Sequence, residues 1–252
     1  MRIVLGFISV ALILYGAVCA TLFFSQRSLI YFPQPRSLGM PTRTLQVDGA
    51  ELVISVRGRA GPKALIYFGG NAEDVSVNLP SFSAAFPDHA LYLLHYRGYG
   101  GSSGRPSEAA LHADAQALFD TVHRAHPDVA VVGRSLGSGV AVRLAAMRPV
   151  SRLVLVTPYD SVQEIAIRQF PFIPIRWLIQ DKFESWRHAP SIRVPTLLLA
   201  AEFDEVIPRD STERLHAGFA KGVASMQTLR GAGHNTVSDS AQYLGAMQES
   251  LK

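Results

Sequence analysis

Six short apolar runs constrain the fold of this chain more than any other feature: Leu52 to Val56, Ala64 to Phe68, Ala90 to Leu94, Val129 to Val132, Leu153 to Val156 and Thr196 to Ala200. Each is rich in β-formers and none alternates apolar with polar residues. A strand that is apolar on both sides must be covered on both sides, as are the central strands of parallel sheets. Between the runs, Pro106 to Ala125 and Leu136 to Met147 have helical spacing, the first with Ser107-Glu108 in its opening turn. Strand and helix in alternation predict an α/β fold with a doubly wound, mostly parallel sheet. Ligands of such sheets bind at the carboxyl ends of the strands, so the loops that follow these runs are where chemistry is expected.

A chain of 252 residues is long enough to bury one such core. Residues 28–252 are expected to form the domain, with 1–27 as an N-terminal appendage. Charged residues are 17% and hydrophobic residues 48% of the chain, a balance that excludes disorder. The net charge of +4 comes from scattered Lys and Arg, without basic runs interleaved with aromatics, so nucleic acid is not expected as a partner. The one cysteine, Cys19, lies in the N-terminal segment. The body therefore has no disulfide, cysteine metal site or thiol nucleophile.

From Ile3 to Gln26 there is no charged residue, and Arg2 and Arg27 bracket the stretch. A helix of that length can cross a hydrocarbon core of about 30 Å, and a single membrane span is the expectation. A cleaved signal peptide is the alternative, with Val18-Cys19-Ala20 as a cutting site. However, the apolar stretch continues through Thr21-Leu22-Phe23-Phe24 and exceeds the usual ~7 to 15 apolar residues of such peptides. Val18 also precedes Cys19 where a lipoprotein signal needs a small residue. Arg2 lies on one side of the span and Arg27, Arg36 and Arg43 on the other, which leaves open the side on which the domain lies.

Directly after the run Val129 to Val132 comes Gly133-Arg134-Ser135-Leu136-Gly137, and then a helical stretch. A serine on a sharp strand-to-helix turn is held strained and exposed, and glycines two residues to either side let strand and helix approach. The same turn without catalysis would be a mere glycine-rich connection. Ser138 has the wrong spacing to the glycines. A serine hydroxyl needs a histidine to take its proton and a carboxylate to orient that histidine. Of the eight histidines, His188, His216 and His234 lie downstream of Ser135. His234, in the loop Gly231-Ala232-Gly233-His234-Asn235 after the strand-like Met226 to Leu229, is the candidate base. His216 reads as a solvated histidine on a helix, His188 lies in an irregular segment before Pro190, and His95, His123 and His126 read as structural or surface residues. For the acid, Ala201-Glu202-Phe203-Asp204-Glu205 offers three carboxylates at a strand end. Asp204 is preferred, with Glu202 nearer the strand and Glu205 facing solvent; Asp160 is a further possibility.

With these residues in place, the sequence resembles the alpha/beta-hydrolase superfamily over nearly its whole length, in particular a membrane-anchored group of abhydrolase-domain proteins related to serine aminopeptidases. The resemblance rests on Gln26-Arg27-Ser28-Leu29-Ile30-Tyr31-Phe32-Pro33, Gly70-Asn71-Ala72, Tyr96-Arg97-Gly98-Tyr99-Gly100, the serine turn, and the Asp204 and His234 loops. It implies that the backbone amides of Asn71 and Leu136 form an oxyanion hole. One position departs: the family usually carries His-Gly before the residue matching Asn71, and here Gly69-Gly70 stands instead, which leaves open how that loop is held.

Gly98-Tyr99-Gly100-Gly101-Ser102-Ser103-Gly104 misses dinucleotide-loop spacing by one residue, and no histidine pair stands at metal spacing on a helix, so no cofactor or metal is called for. Residues 158–190, with Phe170-Pro171-Phe172-Ile173-Pro174-Ile175-Arg176-Trp177, read as a small cap whose apolar face lines an acyl pocket, lies against a bilayer, or only covers the core. The expectation is a serine hydrolase acting on an ester or thioester of a small or lipid-like acyl group, including one carried on a protein. A peptidase or amidase, and a non-catalytic membrane-tethered binding protein, are the competing readings.

Overall fold

The computed structural model describes residues 1–37 and 39–252. Helix α1 (Arg2–Ile30) leads, followed by strands β1 (Thr42–Val47), β2 (Ala50–Arg57) and β3 (Lys63–Phe68), helix α2 (Leu79–Ala85), strand β4 (Ala90–Leu94) and helix α3 (Glu108–His123). Strand β5 (Asp128–Arg134), helix α4 (Leu136–Met147) and strand β6 (Arg152–Val156) come next. Short helices α5 (Val162–Gln169), α6 (Ile175–Leu178) and α7 (Ser185–His188) then precede β7 (Thr196–Phe203), α8 (Arg209–Gly218), β8 (Ala224–Gly233) and α9 (Tyr243–Ser250).

Among the described residues the strands form one eight-stranded sheet, in the order β1-β2-β4-β3-β5-β6-β7-β8. From β4 to β8 every pairing is parallel. Alternate side chains of each strand point to opposite faces, and each face has its own cover. Ala64, Ile66 and Phe68 of β3 join Leu118 and Phe119 of α3, Val140 and Ala141 of α4 and Leu215 of α8. Leu65 and Tyr67 of the same strand join Leu79 and Phe82 of α2 and Tyr243 and Met247 of α9. These side chains are fully or nearly fully buried, at about 1.5–3 kcal/mol for each large aliphatic or aromatic one. The doubly wound, mostly parallel sheet is as expected.

One reading needs correction, and one strand went unread. The run Leu52 to Val56 is not a parallel strand, since β2 pairs antiparallel with both β1 and β4. Strand β1 itself carried an unread signal: Asp48-Gly49 forms a two-residue turn with Gly49 at φ +71°, the favoured chemistry of a hairpin. Above the sheet, α5, α6 and α7 make the cap. Ser161 opens α5 by accepting a hydrogen bond from the Glu164 N–H at 3.0 Å.

α1 is long and apolar enough to cross a membrane, with a mean hydropathy of 2.5 over its most apolar window, and none of its residues is buried. Its half-buried positions Cys19, Leu22, Phe23, Gln26 and Ile30 lie on one helical face, and that face meets the cap. The Gln26 side-chain amide donates to the Leu178 carbonyl at 3.1 Å and its oxygen accepts the Gln180 N–H at 2.6 Å. Arg27 and Tyr31 both reach the buried Asp181 carboxylate, at 3.1 and 2.9 Å.

Candidate active site

Strand β5 ends at Arg134, and α4 begins at Leu136, so Ser135 alone makes the turn. Its backbone sits at φ 48°, ψ −117°, a conformation a non-glycine residue keeps only when its surroundings impose it. Here the Ser135 N–H donates to the Val156 carbonyl of β6 at 2.8 Å, and its own carbonyl accepts from both the N–H and the hydroxyl of Ser138. Gly137 explains the motif's spacing: a Cβ there would strike the carbonyls of Phe68 and Gly69. Ser138 is buried and serves the turn.

At the same carboxyl end of the sheet, Phe203 of β7 pairs with Gly233 of β8. The next residue of each strand, Asp204 and His234, therefore leaves the sheet side by side. His234 Nδ1 lies 2.9 and 3.0 Å from the two Asp204 carboxylate oxygens. A carboxylate only accepts, so Nδ1 carries the proton and Nε2 is left to accept from the Ser135 hydroxyl, 2.9 Å away. Asp204 is itself held by the N–H groups of Val206 and Ile207, at 3.0 and 2.7 Å. Ser135, His234 and Asp204 thus form one hydrogen-bonded line. In such a line the imidazole can take the serine proton while the carboxylate stabilises the resulting imidazolium.

The other acids have different posts. Glu205 faces solvent, as expected, and from there its carboxylate accepts the His234 N–H at 3.0 Å; this bond, followed by its own backbone amide, holds its carboxyl below the usual range. Glu202 accepts the Gly231 N–H at 2.7 Å, so both glutamates pin the histidine loop. Asp160 is buried and committed to Ser211, the Ser161 N–H and Arg214, away from His234. His216 is half-buried and contacts the Ala224 carbonyl at 3.2 Å, and His95 is buried against Ser55 at 2.9 Å.

Asn71 follows β3, with Gly70 so near the turn that a Cβ on it would stand 3.8 Å from the Ser135 Cβ. The Asn71 carbonyl accepts from the Tyr99 hydroxyl and the Phe32 N–H, at 2.7 and 3.0 Å, and its side-chain amide donates to the Ile30 carbonyl at 3.2 Å. Its own N–H has no partner among the described residues. The Leu136 N–H heads α4, where helix geometry supplies no acceptor. Two backbone donors flanking a serine turn can hold a negatively charged oxygen.

The departure at Gly69 has a structural explanation. A side chain there would collide with Val75 and come within 3.1 Å of the Glu73 carboxylate. Glu73 takes over the loop: it accepts the Gly70 N–H at 2.6 Å, the Tyr67 hydroxyl at 2.8 Å and the Asn78 amide at 2.6 Å, and faces the Arg134 guanidinium at 3.4 Å. Burial works against the Arg134 charge, but the Glu73 carboxylate together with Tyr67 and Tyr243 outweighs it and raises the guanidinium's pKa. Arg134 also reaches the His234 carbonyl at 3.4 Å. One largely buried ion pair therefore ties together the loop of Asn71, the turn of Ser135 and the loop of His234. Sequence reading missed Glu73 and Arg134; the missing histidine at position 69, two residues from a glycine-flanked loop's Asn71, was the signal that something else must hold it.

Ser135 opens into an apolar cavity of about 330 Å³. Its walls include Leu22, Phe23 and Leu29 of α1 and Ile165, Phe170 and Ile173 of the cap, with Asn71 and Ser135 among its few polar residues.

Comparison with known proteins agrees with this architecture. The family described as having the alpha/beta hydrolase fold matches residues 63–182. An uncharacterised protein of Mycobacterium tuberculosis is 34% identical over 248 residues, covering 90% of this chain and 86% of that protein. The protein bem46 of Schizosaccharomyces pombe is 28% identical, covering 73% of this chain and 68% of its own length. Among solved structures, an esterase from Pyrococcus furiosus superposes with a TM-score of 0.66 at 15% identity, covering 88% of this chain and 96% of that one; this likeness speaks to the fold.

Proposed function

The chain belongs to the alpha/beta-hydrolase superfamily, and on that premise we propose that it is a serine hydrolase that cleaves the carboxylic ester or thioester of an acyl chain, held to a membrane by α1. The observation that carries this reading is the unbroken line Asp204, His234, Ser135, with 2.9 Å at each link, on a serine whose backbone is strained at φ 48°.

In the first step the Ser135 oxygen attacks the acyl carbonyl while His234 Nε2 takes the hydroxyl proton. The Asn71 and Leu136 amides hold the negative oxygen of the tetrahedral intermediate. The intermediate collapses, the alcohol or thiol leaves with the proton from His234, and the acyl group remains on Ser135. Water, deprotonated by His234, then releases the acid. Asp204 keeps the Nδ1 proton in place throughout. The cavity is at the small end of the usual ~300–1,000 Å³ for ligand sites and mostly apolar, which favours a single acyl chain over a peptide.

The test is covalent labelling of the full chain in detergent with a fluorophosphonate probe. Wild type labels and Ser135→Ala does not; equal labelling of the two, or none of either, rejects the reading. A panel of esters of graded chain length, a matching thioester and an aminopeptidase substrate then ranks the bond classes, with turnover of the peptide substrate alone rejecting the acyl assignment.

A further inference from the structure

The cap segment between Arg168 and Arg176 reads Gln169-Phe170-Pro171-Phe172-Ile173-Pro174-Ile175, without a charge. Ile175 is buried at its base, but the tip is not folded away. Phe172 is 87% exposed and so is Trp177 just beyond it. An apolar tip of this kind is costly in water unless something apolar covers it.

Its position indicates what covers it. The Phe172 carbonyl accepts a hydrogen bond from the Tyr15 hydroxyl of α1 at 2.8 Å. Tyr15 stands eleven residues before Gln26, about 17 Å further along the helix axis. Gln26 and Arg27 mark where α1 leaves its uncharged stretch, so the cap tip lies beside α1 well inside the span of that stretch.

The tip's backbone leaves few donors unmet for an apolar medium, where each costs several kcal/mol; the Phe172 N–H alone of its amides has no partner among the described residues. Pro171 and Pro174 have no N–H. The N–H groups of Phe170, Ile173 and Ile175 are bonded within the cap, at 2.9, 3.1 and 2.8 Å. The outermost carbonyl is the one Tyr15 satisfies. The two flanking arginines can carry their charges back to an interface, and a tryptophan beside them is the residue type enriched there.

We propose that the Phe170 to Ile175 segment inserts into the bilayer alongside α1, and that the crevice between them admits the acyl chain of a bilayer-resident ester or thioester directly to Ser135. The cavity is continuous with this contact, because α1 supplies Leu22, Phe23 and Leu29 to one wall and the cap supplies Phe170 and Ile173 to the other. The chain enters sideways from lipid, and the scissile carbonyl meets Ser135 near the root of α1. The proposal rests on the acyl-hydrolase reading for its substrate, but membrane insertion stands or falls separately.

The protein has two tryptophans, Trp177 and Trp186, so Trp186→Phe leaves Trp177 as the one reporter. The full chain carrying Trp186→Phe is reconstituted in phosphatidylcholine vesicles containing lipids brominated on the acyl chain. Insertion predicts at least twofold quenching of Trp177; emission unchanged from unbrominated vesicles overturns it. Turnover of a water-soluble butyrate ester is then compared with that of a long-chain ester embedded in the vesicles, in wild type and Phe172→Glu. Phe172 does not line the cavity, so soluble-ester turnover should stay within twofold while the embedded ester slows at least tenfold. Equal effects on both substrates, or none on either, overturn the entry route. If wild type turns over neither ester, the hydrolase reading fails, and the Trp177 measurement still decides insertion.

Discussion

Replacing Glu73 with glutamine tests the account of the oxyanion loop. The carboxylate accepts three hydrogen bonds, from Gly70, Tyr67 and Asn78, and faces Arg134 at 3.4 Å. Glutamine keeps the shape, but its nitrogen only donates. Placed toward Gly70 it meets an N–H and a guanidinium; placed toward Asn78 it meets an amide NH2. At least one buried donor loses its acceptor, at about 1–3 kcal/mol. Arg134 also loses its counter-charge, and breaking a buried pair from one side costs about 3–5 kcal/mol. The two losses share groups and do not add, so about 3–5 kcal/mol is expected in total. At about 2–4 °C per kcal/mol for a domain near this size, Glu73→Gln should lower the Tm by roughly 10 °C, read by thermal unfolding in detergent. The double variant Glu73→Gln with Arg134→Met removes the stranded charge and should recover at least half of that loss. In the folded fraction of the single variant, fluorophosphonate labelling should slow by about tenfold, since the loop of Asn71 loses its restraint. A single variant within 2 °C of wild type, or a double variant whose loss is the sum of the two singles, refutes the reasoning.

Asp204→Asn should leave the Tm within a few degrees and slow labelling by about 10³- to 10⁴-fold, because an amide NH2 facing His234 Nδ1 favours the wrong tautomer; a loss below tenfold would assign the acid elsewhere. His95 supplies a pH test. Burial, the main cause, lowers its pKa to about 4, against about 6.5 when unfolded. Between these values the unfolded chain binds the proton and the folded chain does not, so stability falls as pH drops through 6.5 toward 4. By pH 5 the loss from this residue is about 2 kcal/mol relative to pH 7. His95→Gln should therefore lose about 2 kcal/mol less than wild type between those pH values, measured by urea midpoints in detergent, and an unchanged pH dependence would contradict it.

The parallel strands were legible because burial on both faces leaves a plain mark: uninterrupted apolar runs. The hairpin end of the sheet left a weaker one. β2 is almost as apolar as its neighbours, so composition does not reveal its direction, and β1 is largely exposed; only Asp48-Gly49 betrays the turn. Ser135, Asp204 and His234 were readable because each sits at a strand end in a loop whose residue types are restricted. Glu205 faces solvent as read, but exposure did not reveal that its carboxylate is used by an amide 29 residues away. The Glu73 and Arg134 pair was invisible for a related reason: in a sequence, a charge near a motif looks the same whether it faces water or another charge. The docking of α1 on the cap, through Gln26, Arg27 and Tyr15, depends on contacts more than 150 residues apart, which no local pattern encodes.

The bonds from Ile30 and Phe32 to Asn71 leave no slack between α1 and the reaction centre. Many membrane-tethered domains hang from a pliable stalk and sweep a volume above the lipid. Here the stalk has zero length, so with α1 in a bilayer Ser135 sits at one altitude. Substrates would then be sorted by how far their scissile bond stands from the membrane plane, before any pocket judges their shape. Moving that altitude by one turn, through insertion of residues between Ile30 and Phe32, would detune the selection and unfasten the oxyanion loop in the same stroke.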